Sequence, residues 1–298
     1  MIRRPPRSTL DRSSAASDVY KRQVVCILSV VFYVFKTYSQ TLVDDSKILS
    51  KFSAYLIRGS FWAVFLVGLA DFIISFMVVE RLWEAIFSPE VKAFMVKAPE
   101  RITYIHFPII LVSFIIGYFT KSVGFIWLAV LVVLSEFVIV LSRFVFSYEQ
   151  AFQGDLVRFW YAALYLFASA YALIHEGHVR VDVLYSSFSE KKKAWTNMVG
   201  SALLGVPLCL IVLFLGLNGK ASIINGPVVA FEVTQQGSNG LYLLYLMAVY
   251  LAVFAVTMLL QFTSYFMSSS HKIIFNNIED QTQSDNPDQV RLEKVESN

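Results

Sequence analysis

Long apolar runs separated by short polar stretches dominate the chain from residue 24 onward. Crossing a bilayer core takes about 20 apolar residues at about 1.5 Å each. Stretches at 55–79, 125–146, 156–174, 195–217 and 240–267 meet that length. The run 104–147 is too long for one span, and Thr120–Gly124 breaks it with a tight turn into two helices. The pattern therefore predicts six full spans. A seventh, 24–36, is too short to cross and reads as the surviving end of a truncated helix. Between the first two full spans, Leu82, Trp83, Ile86 and Phe87 repeat at helical spacing, as do Val91, Phe94 and Met95, with Pro89 between the groups. Two short amphipathic helices lying in the membrane interface, or a surface loop with buried anchors, fit that spacing equally well. From His271 the chain turns polar and rich in Asn, Asp and Gln, the composition of a disordered tail.

Composition agrees with this pattern. The chain is 56% hydrophobic and 16% charged, against about a quarter charged in soluble domains. Its 26 phenylalanines and 15 tyrosines suit lipid-facing and interfacial positions. A net charge of +3 with no long basic run gives nucleic acid nothing to bind. Cys26 and Cys209 lie in separate apolar runs and read as small hydrophobes without a disulfide. The first 23 residues stand apart. Met1–Leu10 looks like the translation of a sequencing-adaptor oligonucleotide, no apolar core or small-residue cleavage site marks a signal peptide, and the true N-terminus is expected to be missing.

Charge sets the expected orientation. The 175–194 loop carries Arg180 and Lys191 to Lys193, whereas 218–239 carries only Lys220. By the positive-inside rule the former faces the cytoplasm, with the C-terminus, and the latter faces outside.

The densest chemistry lies in that basic loop: His175, Glu176, His178, Arg180 and Asp182. Imidazole and carboxylate suit zinc or iron, but the spacing matches no strong site and no second His/Cys cluster completes a shell. A polar loop that ends one helix at Gly177 and packs on a partner fits better, and no metal or other cofactor is predicted. Val179, Val181 and Val183 alternate with Arg180 and Asp182, the period of a short extended stretch. Asp71, Glu136, Arg143 and Arg158 lie in or at the ends of spans. Such charges mark structural pairs or ion paths. Structural pairing is the favoured reading, because no Gly/Pro-broken helix surrounds Asp71 or Glu136. Asp155 reads as the N-cap of its span, Pro207 as a kink, and Ala168/Ala172 and Ser201/Gly205 as small pairs that admit a close neighbour. No Walker A loop, HExxH or nucleophile elbow is present, so neither an ATPase nor an enzyme is expected.

Ser142-Arg143-Phe144-Val145-Phe146 closes one span and Asp155-Leu156-Val157-Arg158-Phe159-Trp160 opens the next. Glu176-Gly177-His178-Val179-Arg180-Val181-Asp182-Val183-Leu184 and the lysines 191–193 follow. This order, across about residues 125–267, resembles the small permease subunit (DctQ-type) of tripartite ATP-independent periplasmic (TRAP) transporters. The resemblance implies an all-α, polytopic protein of the bacterial inner membrane, with a four-helix core at about 125–270. Residues 24–124 would be extra membrane helices of a long form, and 271–298 a cytoplasmic tail. It further implies a large permease subunit and a periplasmic substrate-binding protein as partners in sodium-coupled uptake of an organic acid. His178, Arg180 and Asp182 would match the family's cytoplasmic-loop motif and Arg158 its helix-start arginine, with Glu176 beside them in a structural or partner-binding role. The competing reading is a self-sufficient channel or carrier using Asp71 and Glu136.

Overall fold

The computed structural model describes residues 41–120, 125–174, 185–233 and 240–285, with Leu28, Phe32, Phe35 and Lys36 ahead of them. Every regular element among the described residues is helical. We label them α1 (Leu42–Val79), α2 (Leu82–Ile86), α3 (Pro89–Val96), α4 (Ala98–Phe119), α5 (Phe125–Phe146), α6 (Ala151–Ile174), α7 (Glu190–Leu217), α8 (Asn225–Val229) and α9 (Leu244–Asp285). Six of these, α1, α4, α5, α6, α7 and α9, are long and apolar enough to cross a membrane. The short amphipathic helices that the spacing between the first two spans allows are α2 and α3, and Pro89 occupies the first turn of α3.

Helices α1, α6 and α9 form a central trio, and each carries one outer helix: α4 lies on α1, α5 on α6 and α7 on α9. The core joins Phe61, Val64 and Val67 of α1 to Phe152, Phe159 and Phe167 of α6, with Leu246 and Tyr250 of α9 closing the third side. Burying a side chain of this size is worth about 1.5–3 kcal/mol in water. Within a bilayer the gain shifts to close packing, since lipid is as apolar as the core. The α1–α4 crossing shows the closeness required. A Cβ added at Gly117 would stand 2.8 Å from the Cα of Gly59, so any larger residue there drives the two backbones apart.

Successive spans alternate in direction. Ser264 Oγ donates to the carbonyl of Ser46 (2.8 Å) and Ser53 Oγ to that of Thr257 (3.1 Å), which runs the start of α1 antiparallel to the middle of α9. Trp62 Nε1 reaches Thr120 Oγ1 at the end of α4 (2.8 Å). Tyr265 donates its phenol to Leu173 near the end of α6 (2.9 Å). The start of α1, the end of α6 and the middle of α9 lie on one side, the tail face, while α4 stops beside Trp62, midway along α1. The opposite, crown face gathers α2 and α3, the 147–150 turn, and the connection through α8 into α9.

Two helices contain a π turn, at Ile102–His106 in α4 and Ser201–Gly205 in α7, and a proline follows each, Pro108 and Pro207. Proline lacks an N–H and its ring crowds the carbonyl four residues back. A widened turn just ahead relieves both problems, so the irregularity expected at Pro207 lies in the turn before it. Gly205 meets the ring of Phe262 on α9, which makes the Ser201/Gly205 pair the place where α7 approaches α9.

Three expectations need correction. α4 begins at Ala98, well before residue 104, and draws Arg101 into the span. α6 begins at Ala151, so Asp155 lies inside the helix and is not its N-cap; its carboxylate accepts instead from the backbone N–H of Leu241 (3.0 Å). α9 runs to Asp285, past His271, where the polar composition had predicted disorder. Ile273, Ile274 and Phe275 continue the apolar pattern beyond the serine run, and a helix already under way adds residues more readily than one that must nucleate.

Candidate functional site

Near the crown end of α1, the sequence Gly-Leu-Ala-Asp-Phe places one carboxylate, Asp71, among apolar neighbours. Asp71 is 0% exposed, and so is His106 of α4; Arg101, also of α4, is 2% exposed. Three ionisable groups thus share one interior location. An unpaired charge there is expensive, and geometry must compensate.

It does so in detail. Arg101 Nη2 lies 2.5 Å from Asp71 Oδ1, and the same nitrogen donates to the Asp71 carbonyl (2.8 Å) and to Ser75 Oγ (3.0 Å). His106 Nε2 meets Asp71 Oδ1 at 2.9 Å, and its Nδ1 meets the Tyr245 hydroxyl at 3.0 Å. The backbone N–H of Tyr242 donates to Asp71 Oδ2 (2.6 Å). In the tautomer that donates from Nε2 to the carboxylate, Nδ1 accepts from the Tyr245 hydroxyl. Asp71 and Arg101 then cancel in charge. The Arg101 guanidinium also lies over the Tyr242 ring, 4.5 Å from its centroid, and the His106 and Tyr245 rings are nearly parallel (6°).

The π turn makes this convergence possible. Residues five apart on a regular α-helix point about 140° away from one another. The wider turn over Ile102–His106 rotates His106 back towards the side of Arg101, so both reach one carboxylate.

A second polar contact lies nearby. Arg158 Nη1 is 3.9 Å from Asp155 Oδ1, while Asp155 Oδ2 holds the N–H of Leu241. Asp71 of α1 and Asp155 of α6 therefore grip adjacent backbone amides, Tyr242 and Leu241, at the entrance to α9.

The other charges singled out in the sequence are scattered. Glu136 is exposed on α5. Arg143 stands at the crown end of α5, 3.4 Å from Glu149 and exposed. Asp71, Glu136 and Arg143 are not brought together. His175, Glu176, His178, Arg180 and Asp182 lie outside the described residues. The segment that follows them is ordered around Tyr185, whose hydroxyl accepts from Asn197 Nδ2 (2.9 Å). Among the described residues, no three His, Cys, Asp or Glu side chains are placed to hold a metal ion.

Two members of the cluster escape sequence reasoning. Arg101 falls in a stretch that reads as interfacial, and nothing in the sequence pattern singles out His106. The usable signal lies in the pair: a lone His and a lone Asp in neighbouring apolar spans each need a polar partner, and each can serve the other.

A model of the family described as tripartite ATP-independent periplasmic transporters, DctQ component, matches residues 130–269. Comparison with curated proteins and with solved structures gave no match. The matched stretch opens inside α5 and closes inside α9, so it takes in α5, α6, α7 and α9 and leaves α1 to α4 outside. The Asp71 cluster straddles that boundary, with Asp71, Arg101 and His106 ahead of it and Tyr242 and Tyr245 within it. Residues 130–269, a little under half of the chain, match the DctQ component of TRAP transporters, and α1 and α4 precede the four matched spans.

Proposed function

We propose that this chain is the small transmembrane subunit of a TRAP transporter of the bacterial inner membrane. It braces a large permease that takes up an organic acid with sodium, after a periplasmic binding protein delivers the acid. The family match across α5, α6, α7 and α9 carries the reading. The outer surfaces of α5 and α7 support it. Val133, Phe137 and Phe144 of α5 and Leu204, Leu208 and Phe214 of α7 are all exposed, a suitable surface for another membrane protein or for lipid. In this reading the tail face is cytoplasmic, because Lys191 to Lys193 lie there. His178, Arg180 and Asp182, with Glu176, form the cytoplasmic motif that holds the partner, and Arg158 steadies the crown end of α6. The role is mechanical, with no catalysis and no cofactor.

The test is co-purification. The chain, tagged and expressed with a large TRAP permease encoded beside it, is expected to elute as a complex and to restore sodium-dependent uptake in cells lacking it. Arg180→Ala and Asp182→Ala are expected to reduce the recovered complex. Flux through liposomes holding this chain alone, abolished by Asp71→Asn, would overturn the reading in favour of a self-sufficient carrier.

A further inference from the structure

Helix α5 is the least covered of the six spans: 6% of its apolar stretch is buried, against 17–39% in the others. One exposed stripe runs along its whole length. Ile126, Val130, Val133, Phe137, Val140 and Phe144 are 40–79% exposed and follow one another at alternating steps of four and three residues. That spacing is the 3.5-residue repeat with which one helix packs along another. The β-branched Ile126, Val133 and Val140 recur every seventh residue on one side of the seam, and Val130, Phe137 and Phe144 on the other.

Glu136 stands beside this seam, next to Phe137, on the edge where paired helices place their interhelical charges. At about 1.5 Å per residue it lies about 15 Å from either end of α5, too far for its side chain to reach the headgroups. Its neighbours one turn away in each direction, Val132, Val133, Ile139 and Val140, are apolar. Among the described residues no ion pair or hydrogen bond reaches its carboxylate. Ionisable groups within a span ordinarily face the protein interior and pair there. This one faces outward, at the rim of a surface shaped for another helix.

A second copy of the chain does not answer it. Two copies share one orientation in the membrane, so their α5 helices would pack parallel. The edge of the second α5 that faces Glu136 then holds Trp127, Leu134 and Leu141, none of them a cation.

We propose that the α5 seam is the docking face for a transmembrane helix of the large permease, and that this helix presents a Lys or Arg to Glu136 near the middle of the bilayer. The proposal rests on the small-subunit role given above and adds to it the helix, the packing mode and the chemistry of the contact. The seam supplies close packing. The carboxylate selects the partner and fixes its register, because a helix without the cation would bury Glu136 unanswered.

The chain is co-expressed with the large permease encoded beside it, with a photoreactive residue in place of Val133 or Val140 of α5 or, for comparison, Leu208 of α7. Irradiation in the membrane is expected to join the α5 probes to a permease segment that carries a Lys or Arg within one helical turn of the captured position. Glu136→Gln is expected to lower the recovered complex about tenfold, the loss of one charge-assisted contact, with the unfolding midpoint of the chain alone unchanged. Glu136→Lys is expected to lower it further, and changing the captured cation to Glu in that background to restore it. Four results each overturn the docking face and leave the small-subunit role standing: capture of the permease by the α7 probe alone, capture of a second copy of this chain by the α5 probes, a captured segment without a basic residue, or full recovery with Glu136→Gln. Absence of any complex with the wild-type chain overturns both.

Discussion

Helices α1 and α5 each carry one carboxylate among apolar residues, and the molecule treats them in opposite ways. Asp71 of α1 is fully buried, takes two donors on one oxygen and one on the other, and has its charge matched by Arg101. Glu136 of α5 is exposed on an outer helix whose only fully buried side chain, among those described, is Leu128. The difference follows from position in the trio. α1 touches α4, α6 and α9, so a charge on it must be answered within the protein. α5 packs chiefly on α6, and the charge of Glu136, midway along the span, is left for a partner. Polarity within a span therefore marks two different things here: an internal tie in one helix and an outward-facing group in the other.

Removing the match at the buried site tests this contrast most severely. Arg101→Met leaves Asp71 buried without its cation and is expected to destabilise the protein by about 3–5 kcal/mol, read as a large fall in thermal unfolding midpoint in detergent. Adding Asp71→Asn should restore part of the loss, because the double variant no longer holds an uncompensated charge. A double variant no better than the single one would show that the tie is not electrostatic. Next in size is Gly117→Val, which forces apart a crossing with no room for a Cβ; an overpacking penalty of about 1–3 kcal/mol is expected by the same measurement.

Tyr148→Phe removes one phenol-to-Glu80 hydrogen bond on the crown face and should lower stability by about 1 kcal/mol. Burial, then the Glu80 bond, push the Tyr148 phenol above its usual value of 10.0. The stability it contributes is thus present below pH 10 and is lost as the pH climbs further towards the folded-state value. The loss should be visible as a steeper alkaline fall in the wild type than in Tyr148→Phe. Smallest of all is Glu136→Gln, expected to change the isolated chain by less than about 0.5 kcal/mol. A fall in recovered complex with a large permease, without a fall in the stability of the chain alone, would place Glu136 at a protein contact. A large fall in the chain alone would break the contrast between α1 and α5.

How much of this was legible beforehand depended on whether a residue's partner lay in its own pattern. The six spans follow from apolar length, and periodicity with Pro89 allows the short helices at 82–96. Asp71 declared itself as a charge in need of a partner. Its partners did not. Arg101 follows Ala98 and Pro99 in a polar-looking stretch, and only the helix start at Ala98 brings it into the span. His106 reaches Asp71 through a π turn, which no hydropathy pattern encodes. The Tyr242 contact uses a backbone N–H and carries no side-chain signature at all. Asp155 misled for a related reason: acidic residues before apolar runs commonly cap helices, but here the helix began earlier and the carboxylate was free to hold another segment.

The separation of Asp71 from its contacts also sets an order of assembly during synthesis. The carboxylate enters the membrane with α1, and Arg101 and His106 follow 30 and 35 residues later as the other arm of one helical hairpin. Its last donor, the Tyr242 amide, is 171 residues away. At about 5–20 residues per second, the ribosome delivers that final latch roughly 10–35 s after the carboxylate. The α1–α4 hairpin must therefore survive in the bilayer as a neutral, self-paired unit, waiting for the entrance to α9 to emerge and lock it to the rest of the chain.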